Sequence, residues 1–288
     1  MPAIIDIKQR IKGVKNTQKI TRAMKMVAAA KLRRAQSDIL EARPYAKKML
    51  QILNSIAKRV NPRDHPLLRF SEDKNIELVI ITGDKGLCGS FNTNIIKSSE
   101  DFLEQRKESE RELSLNLIGR KGRNYFTKRR FSIRNEFVDI FRDLDYSDAK
   151  KIADILIEEY TGRELDAVYL VYNEFKSVLQ QSVIVERLLP IADLGFEDEK
   201  SEIEYIFEPS GSMILEELLP LHVRTQVWRA LLESNAAEQA ARMNAMENAT
   251  QNADEMIEEL TKTMNKLRQQ TITRQIIEVV GGADALKG

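Results

Sequence analysis

Apolar residues recur at alternating steps of three and four from Ile4 through Ile7, Ile11 and Val14. The same spacing resumes at Ala28 and runs through Leu32, Ala35, Ile39, Ala42, Ala46, Met49, Leu53 and Ile56 to Val60. Such a repeat is the seam of a coiled-coil helix. Only Gln18, Thr21 and Lys25 interrupt it, so the pattern predicts one long helix reaching "NPRDHP". Pro44 falls inside and is expected to kink it or locally unpair its hydrogen bonds, because proline has no N–H to donate. At the other end, Met246, Ala249, Ala253, Met256, Leu260, Met264 and Leu267 keep the three-four spacing, and no glycine occurs between Gly211 and Gly281. Pro220 is expected to open this second helix at its first turn or to kink it, and Gly281 with Gly282 to end it. Long helices gain most of their stability by burying a stripe. The two ends are therefore expected to pair, antiparallel, as one coiled coil.

Between them the period changes. "NIELVIITGD", "LSLNLIGRKG", "FSIRNEFV", "LDAVYLVYNEF" and "QQSVIVERLLP" read as strands. "NTNIIKSSEDFLEQRKE", "RNYFTKRR" and "SDAKKIADILIEEYTG" read as helices. Strands alternating with helices imply a mostly parallel α/β sheet, and the last two strands, with no helix between them, an antiparallel hairpin. The expected fold class is thus α/β: a long antiparallel coiled coil of the N- and C-terminal helices plus a central Rossmann-like α/β domain. The expected divisions are 1–60 for the first helix, 61–75 for a linker, 76–208 for the α/β domain and 209–288 for the last helix. "PIADLGFEDEKSEIE" reads as a flexible loop.

Composition narrows the class. Of 288 residues, 31 % are charged and 6 % aromatic, which suits surface-rich helices. The single Cys88 excludes an internal disulfide and fits a reducing compartment. No apolar run approaches the ~18–20 residues of a spanning helix, and "MPAIIDIKQRIKGVK" has no signal-peptide core. The net charge is only +1, yet the run from Ile7 to Ser37 holds many Lys and Arg and no Asp or Glu. That run fits a solvated face, an acidic protein partner or nucleic acid. Near it Ile20, Ala23, Met24 and Val27 form an apolar stripe off the seam, which calls for another surface to bury it.

Catalytic chemistry is poorly supported. "ITGDKGLCGSFN" follows a strand and precedes a helix, where α/β folds bind phosphates. Its Gly83, Gly86 and Gly89 match neither phosphate-binding glycine signature, leaving a structural turn or nucleotide binding. Cys88 has no histidine nearby in sequence, and His65 and His222 suggest no metal cluster. No catalytic, cofactor-binding or metal-binding residue is assigned.

Three blocks, "KNTQKITRAMKMVAAAKLRRAQ", "ITGDKGLCGSFN" and "NKLRQQTITRQIIEVVGGADAL", together with "AAEQAARMNAM", resemble the gamma-subunit family of rotary ATP synthases, and the resemblance covers essentially the whole chain. It implies a shaft turning inside a ring of alpha and beta subunits, a non-catalytic rotor coupling proton flow to ATP chemistry. It also implies contacts to an epsilon subunit and to a membrane c-subunit ring, without membrane insertion. Carried onto this sequence, it implies alpha/beta-ring contacts at Met24, Lys25, Arg33, Arg34, Arg242, Arg268, Gln269, Ile272 and Ile276. Membrane-ring contacts are implied at Tyr205, Phe207 and Glu208. Gln275 stands where the family commonly has Glu. The implied location is the cytoplasmic face of a bacterial inner membrane, as a peripheral protein. The alternative is a coiled-coil nucleic-acid-binding protein, which leaves "QAARMNAM" and the apolar C-terminal tip without a role.

Overall fold

The computed structural model describes residues 2–57, 65–70, 73–107, 112–191 and 211–285. Two helices dominate it, α1 (Pro2–Ala57) and α5 (Gly211–Ala285). Between them run β1 (Asn75–Ile81), α2 (Phe91–Lys107), β2 (Glu112–Ile118), α3 (Arg120–Phe126), β3 (Ser132–Phe137), α4 (Tyr146–Thr161), β4 (Ala167–Phe175) and β5 (Gln181–Leu189). The chain divides into two compact units, one of residues 1–28 with 243–288 and the other of residues 29–242.

In the first unit the helical segments run antiparallel. Gln18 pairs with Asp254, Thr21 with Thr250 and Lys25 with Glu247, so the partner number falls as the first rises. Ile11, Thr21, Ala28, Met246, Thr250 and Ala253 are buried along this seam. Ala and Thr at these positions let the helices approach closely. The three residues that break the heptad pattern therefore stay on the seam and meet polar partners across it.

The second unit is built on a five-stranded sheet in the order β3-β2-β1-β4-β5, parallel except for β5, which pairs antiparallel with β4. Central β1 is covered on both sides, as a near-continuous apolar strand requires. Ile76, Leu78 and Ile80 face a core made with Phe91, Ile95, Phe102 and Leu103 of α2 and Phe126 of α3. Val79 and Ile81 face the other way. There Ile152, Ala153 and Leu156 of α4 meet Met49, Leu53 and Ile56 of α1 and Leu219, Val223, Val227 and Leu231 of α5. The α4 N-terminus is fixed by a capping box, in which the Asp145 side chain accepts from the backbone of the first turn and Asp148 answers to the Asp145 N–H.

Helix termini differ from the sequence reading in two places. Pro220 lies inside α5, well past its start at Gly211, and does not open it. The turns on either side bury Leu215, Leu219 and Val223 in the core, and that packing offsets one lost hydrogen bond. Gly281 and Gly282 do not end α5, which continues to Ala285. Both glycines are exposed, and a Cβ added at either would meet no atom within 4 Å, so no turn is forced there. Most of the expected loop "PIADLGFEDEKSEIE" falls outside the described residues.

Candidate contact surfaces and the closed crevice

Doubly wound sheets bind ligands outside the carboxyl ends of their strands, where the strand order reverses. Here the order reverses between β1 and β4, and the carboxyl end of β1 that borders this place is built tightly. The Thr82 hydroxyl donates to the Ile118 carbonyl at 3.1 Å and accepts from the Gly122 N–H at 2.8 Å. Gly119 has φ +91, and a Cβ there would run into the Thr82 carbonyl oxygen, so only glycine fits. The Gly83 N–H donates to Asn92 Oδ1 at 2.9 Å. Asp84 Oδ1 accepts from the backbone N–H groups of Arg120 and Asp139, both at 3.0 Å.

The crevice is closed by α5. Ala237 packs against the cluster that holds Ile80, Cys88 and Val171, and the next residue, Glu238, lies against Gly83 with only 3 % of its surface exposed. Burial pushes the Glu238 carboxyl above its usual range, and the paired Arg242 draws it back. Arg242 also donates to the Gly86 carbonyl at 3.4 Å and to Gln239 Oε1 at 3.2 Å, tying helix to loop. A cleft of about 140 Å³ remains beside them, lined by Lys31, Asp84, Lys85, Arg142 and Glu238 among others. A carboxylate thus occupies the ground where a phosphate would need N–H donors. The structural-turn account of "ITGDKGLCGSFN" is the one this geometry favours. Cys88 is buried with its thiol pKa raised, chiefly by that burial, which disfavours the reactive thiolate.

The residues implied as ring contacts fall into three environments. Arg33, Arg34, Arg268, Gln269, Ile272 and Ile276 are exposed. Met24 and Lys25 are half-buried, Lys25 being turned to the seam by Glu247. Arg242 is turned inward onto Glu238. Around Met24, Ile20, Met26 and Val27 are 58–65 % exposed, and Ile272, Ile276, Ile277, Val279 and Val280 form a second exposed apolar set near the end of α5. Tyr205, Phe207 and Glu208 lie outside the described residues. The part of Glu238 was missed by sequence reasoning. Its signal was available: a charged residue within "AAEQAA", where small neighbours admit a close backbone.

Comparison with known proteins matches residues 3–286 to the family described as ATP synthase. The chain is 46 % identical over 293 residues to the ATP synthase gamma chain of Chlorobaculum parvum, and 45 % identical over 287 residues to that of Pelotomaculum thermopropionicum. Each match covers 100 % of both chains. The chain belongs to the ATP synthase gamma-chain family. Among solved structures, this gamma-chain relative resembles a chain of the Tetrahymena thermophila mitochondrial ATP synthase central stalk and c-ring. The TM-score is 0.60 at 29 % identity, covering 80 % of this chain and 99 % of that one. A chain of the Euglena gracilis mitochondrial ATP synthase rotor shares the fold at TM-score 0.66 and 20 % identity, covering 94 % and 99 %. Among the described residues of this gamma chain, no helix is long and apolar enough to cross a membrane.

Proposed function

We propose that this chain is the central-stalk rotor of an ATP synthase and couples ion flow through a membrane ring to ATP synthesis or hydrolysis in a ring of alpha and beta subunits. The observation that carries the reading is the full-length match to gamma chains, joined to a coil whose exposed faces bear apolar and basic residues together. The chain does no bond-making of its own. In its nucleotide-fold crevice the Glu238 carboxylate stands against Gly83, and its chemistry is mechanical.

In this reading the alpha/beta contacts are Met24, Lys25, Arg33, Arg34, Arg242, Arg268, Gln269, Ile272 and Ile276, with three kinds of role among them. Arg33, Arg34, Arg268 and Gln269 face outward and meet acidic loops of the beta subunits. Exposed pairs of this type are worth ~0.2–1 kcal/mol and weaken with salt, which suits a bearing because tight pairs would trap one angle. Lys25 and Arg242 act by holding their own helices in place. Ile272 and Ile276 enter an apolar sleeve. Tyr205, Phe207 and Glu208 meet the c-ring, and the α/β unit carries epsilon. The protein works at the cytoplasmic face of a bacterial inner membrane.

The test is reconstitution of the full chain with purified alpha and beta subunits, followed by single-molecule rotation of a bead fixed to the α/β unit during ATP hydrolysis. Stepwise unidirectional turning supports the rotor reading. A chain that stays still while ATP is hydrolysed, or that never enters the ring, sinks it.

A further inference from the structure

A polar cluster lies on the sheet face that α4 covers, apart from any surface described above. Glu77 of β1 is fully buried; it accepts from the Ser114 hydroxyl, and Arg134 Nε stands 3.5 Å from its carboxylate. Arg134 is shared, with Glu164 at 2.8 Å and Glu159 of α4 at 4.0 Å. Asn135 donates to Glu159 at 3.4 Å. In the β1–β2 register Ser114 stands opposite Glu77 and Asn116 opposite Val79, so alternation puts Glu77, Ser114 and Asn116 on one face. Asn116 is also fully buried, and neither atom of its amide meets a partner among the described residues. Glu77 Oε1 and Glu159 Oε2 are likewise unpaired.

We infer that this cluster is an internal proton-binding site, with Glu77 as the proton carrier and a water on the Asn116 amide as its companion. One guanidinium serves three carboxylates, and the most deeply buried of them is the costliest to leave charged. Protonation removes that charge and adds an O–H donor. Asn116 needs an acceptor for its NH2 and a donor for its oxygen. Water is both, whereas a metal cation would leave the NH2 unsatisfied.

Among the described residues, the groups facing Glu77 are few. β2 supplies Ser114 and Asn116, uncharged; β3 supplies Arg134; α4 supplies Glu159; Glu164 follows α4; and Val168 stands opposite on β4. Burial is the main reason the Glu77 pKa rises to about 7, with the Ser114 hydrogen bond and Arg134 pulling it down and Glu159 pushing it up. A carboxyl raised this way adds stability below its unfolded pKa of 4.5, and that stability is lost as pH climbs through 7. Proton uptake by Glu77 therefore favours the folded state as pH falls from 7 toward 4.5.

The experiment is infrared difference spectroscopy of the full chain between pH 5 and 9, with Glu77→Gln as the control. The expected result is a protonated-carboxyl C=O component that fades with a midpoint near pH 7 in the wild type and is missing from Glu77→Gln, over any component from Glu238, which both proteins share. Arg134→Gln, which removes the cation that favours the carboxylate, moves the midpoint upward and serves as the second variant if Glu77→Gln fails to fold. A band equal in wild type and Glu77→Gln, a midpoint unmoved by Arg134→Gln, or a band removed by sodium or potassium at constant pH would each overturn the proposal.

Discussion

The Glu238 carboxylate lies so close to Gly83 that a methyl group added to the glycine would fall 2.8 Å from its Cδ. Glu238 is almost wholly buried and paired with Arg242, so moving it aside costs that pair. Gly83→Ala is therefore expected to destabilise the chain by about 1–3 kcal/mol, the usual cost of overpacking. Glu238→Ala should be destabilising too, since it leaves Arg242 without its anion. The double variant should lose clearly less than the sum, because the clash and the pair are removed together. Urea unfolding midpoints of the four proteins decide this, and strict additivity would show that the contact is not tight.

The seam of the first unit leads to a different expectation. The Thr21 and Thr250 hydroxyl oxygens are 2.8 Å apart, while Thr21 also faces the Gln18 carbonyl at 3.0 Å and Thr250 the Met246 carbonyl at 2.7 Å. Two protons are shared among three contacts, so one acceptor is always short. Replacing either threonine by valine leaves the other hydroxyl its own backbone carbonyl to donate to but no donor for its buried oxygen, and should cost about 1 kcal/mol. Thr21→Val with Thr250→Val should cost less than either alone or stabilise, since both polar groups leave together. Thermal melts of the full chain give the comparison; a double variant weaker than both singles would contradict it.

His222 sets a pH dependence opposite in sign to that of Glu77. It is buried in α5, and burial first, then the neighbouring Arg229 charge, lowers its pKa from 6.5 to about 4. The folded chain refuses a proton that the unfolded chain accepts below 6.5. Its contribution is complete above that pH and shrinks as pH falls toward 4, by roughly 3 kcal/mol in total. His222→Gln should flatten the stability profile between pH 4 and 6.5, whatever its effect on the level at pH 7. An unchanged slope would place the histidine in water.

How much of the fold is legible in the sequence depends on what kind of order each element needs. β1 through β5 were visible because apolar runs and the spacing of helices between them are local, and the β4–β5 hairpin followed from a missing helix. The antiparallel coil was visible in its heptads, but the partners of Gln18, Thr21 and Lys25 were not, since each lies more than 200 positions away in the chain. The need for glycine at 119 comes from the Thr82 carbonyl, 37 positions earlier in the chain, and so has no local signal. Pro220 does not open α5 and Gly281 does not end it for one reason: both report local preference, and a helix fixed elsewhere along its length can run through a weak residue. The crevice followed the same rule, since "ITGDKGLCGSFN" shows where a ligand could sit but not that Glu238 occupies the place.

The exposed apolar residues allow a test that separates folding from assembly. Ile272 is 48 % exposed and Ile276 58 % exposed, so among the described residues little rewards their apolar character. Ile276→Asp should leave the unfolding midpoint of the isolated chain within about 0.5 kcal/mol of wild type. Leu32, in contrast, is 4 % exposed, and Leu32→Asp would bury an unpaired charge and unfold the chain. If Ile276 enters an apolar sleeve of the alpha/beta ring, Ile276→Asp should weaken assembly or ATP-driven proton pumping in reconstituted vesicles while the chain itself stays folded. Met24→Lys, on the apolar stripe of α1, should behave in the same way. Normal pumping in both variants would remove the ring-contact assignment of these residues, because a desolvated carboxylate or ammonium cannot be neutral to a contact that excludes water.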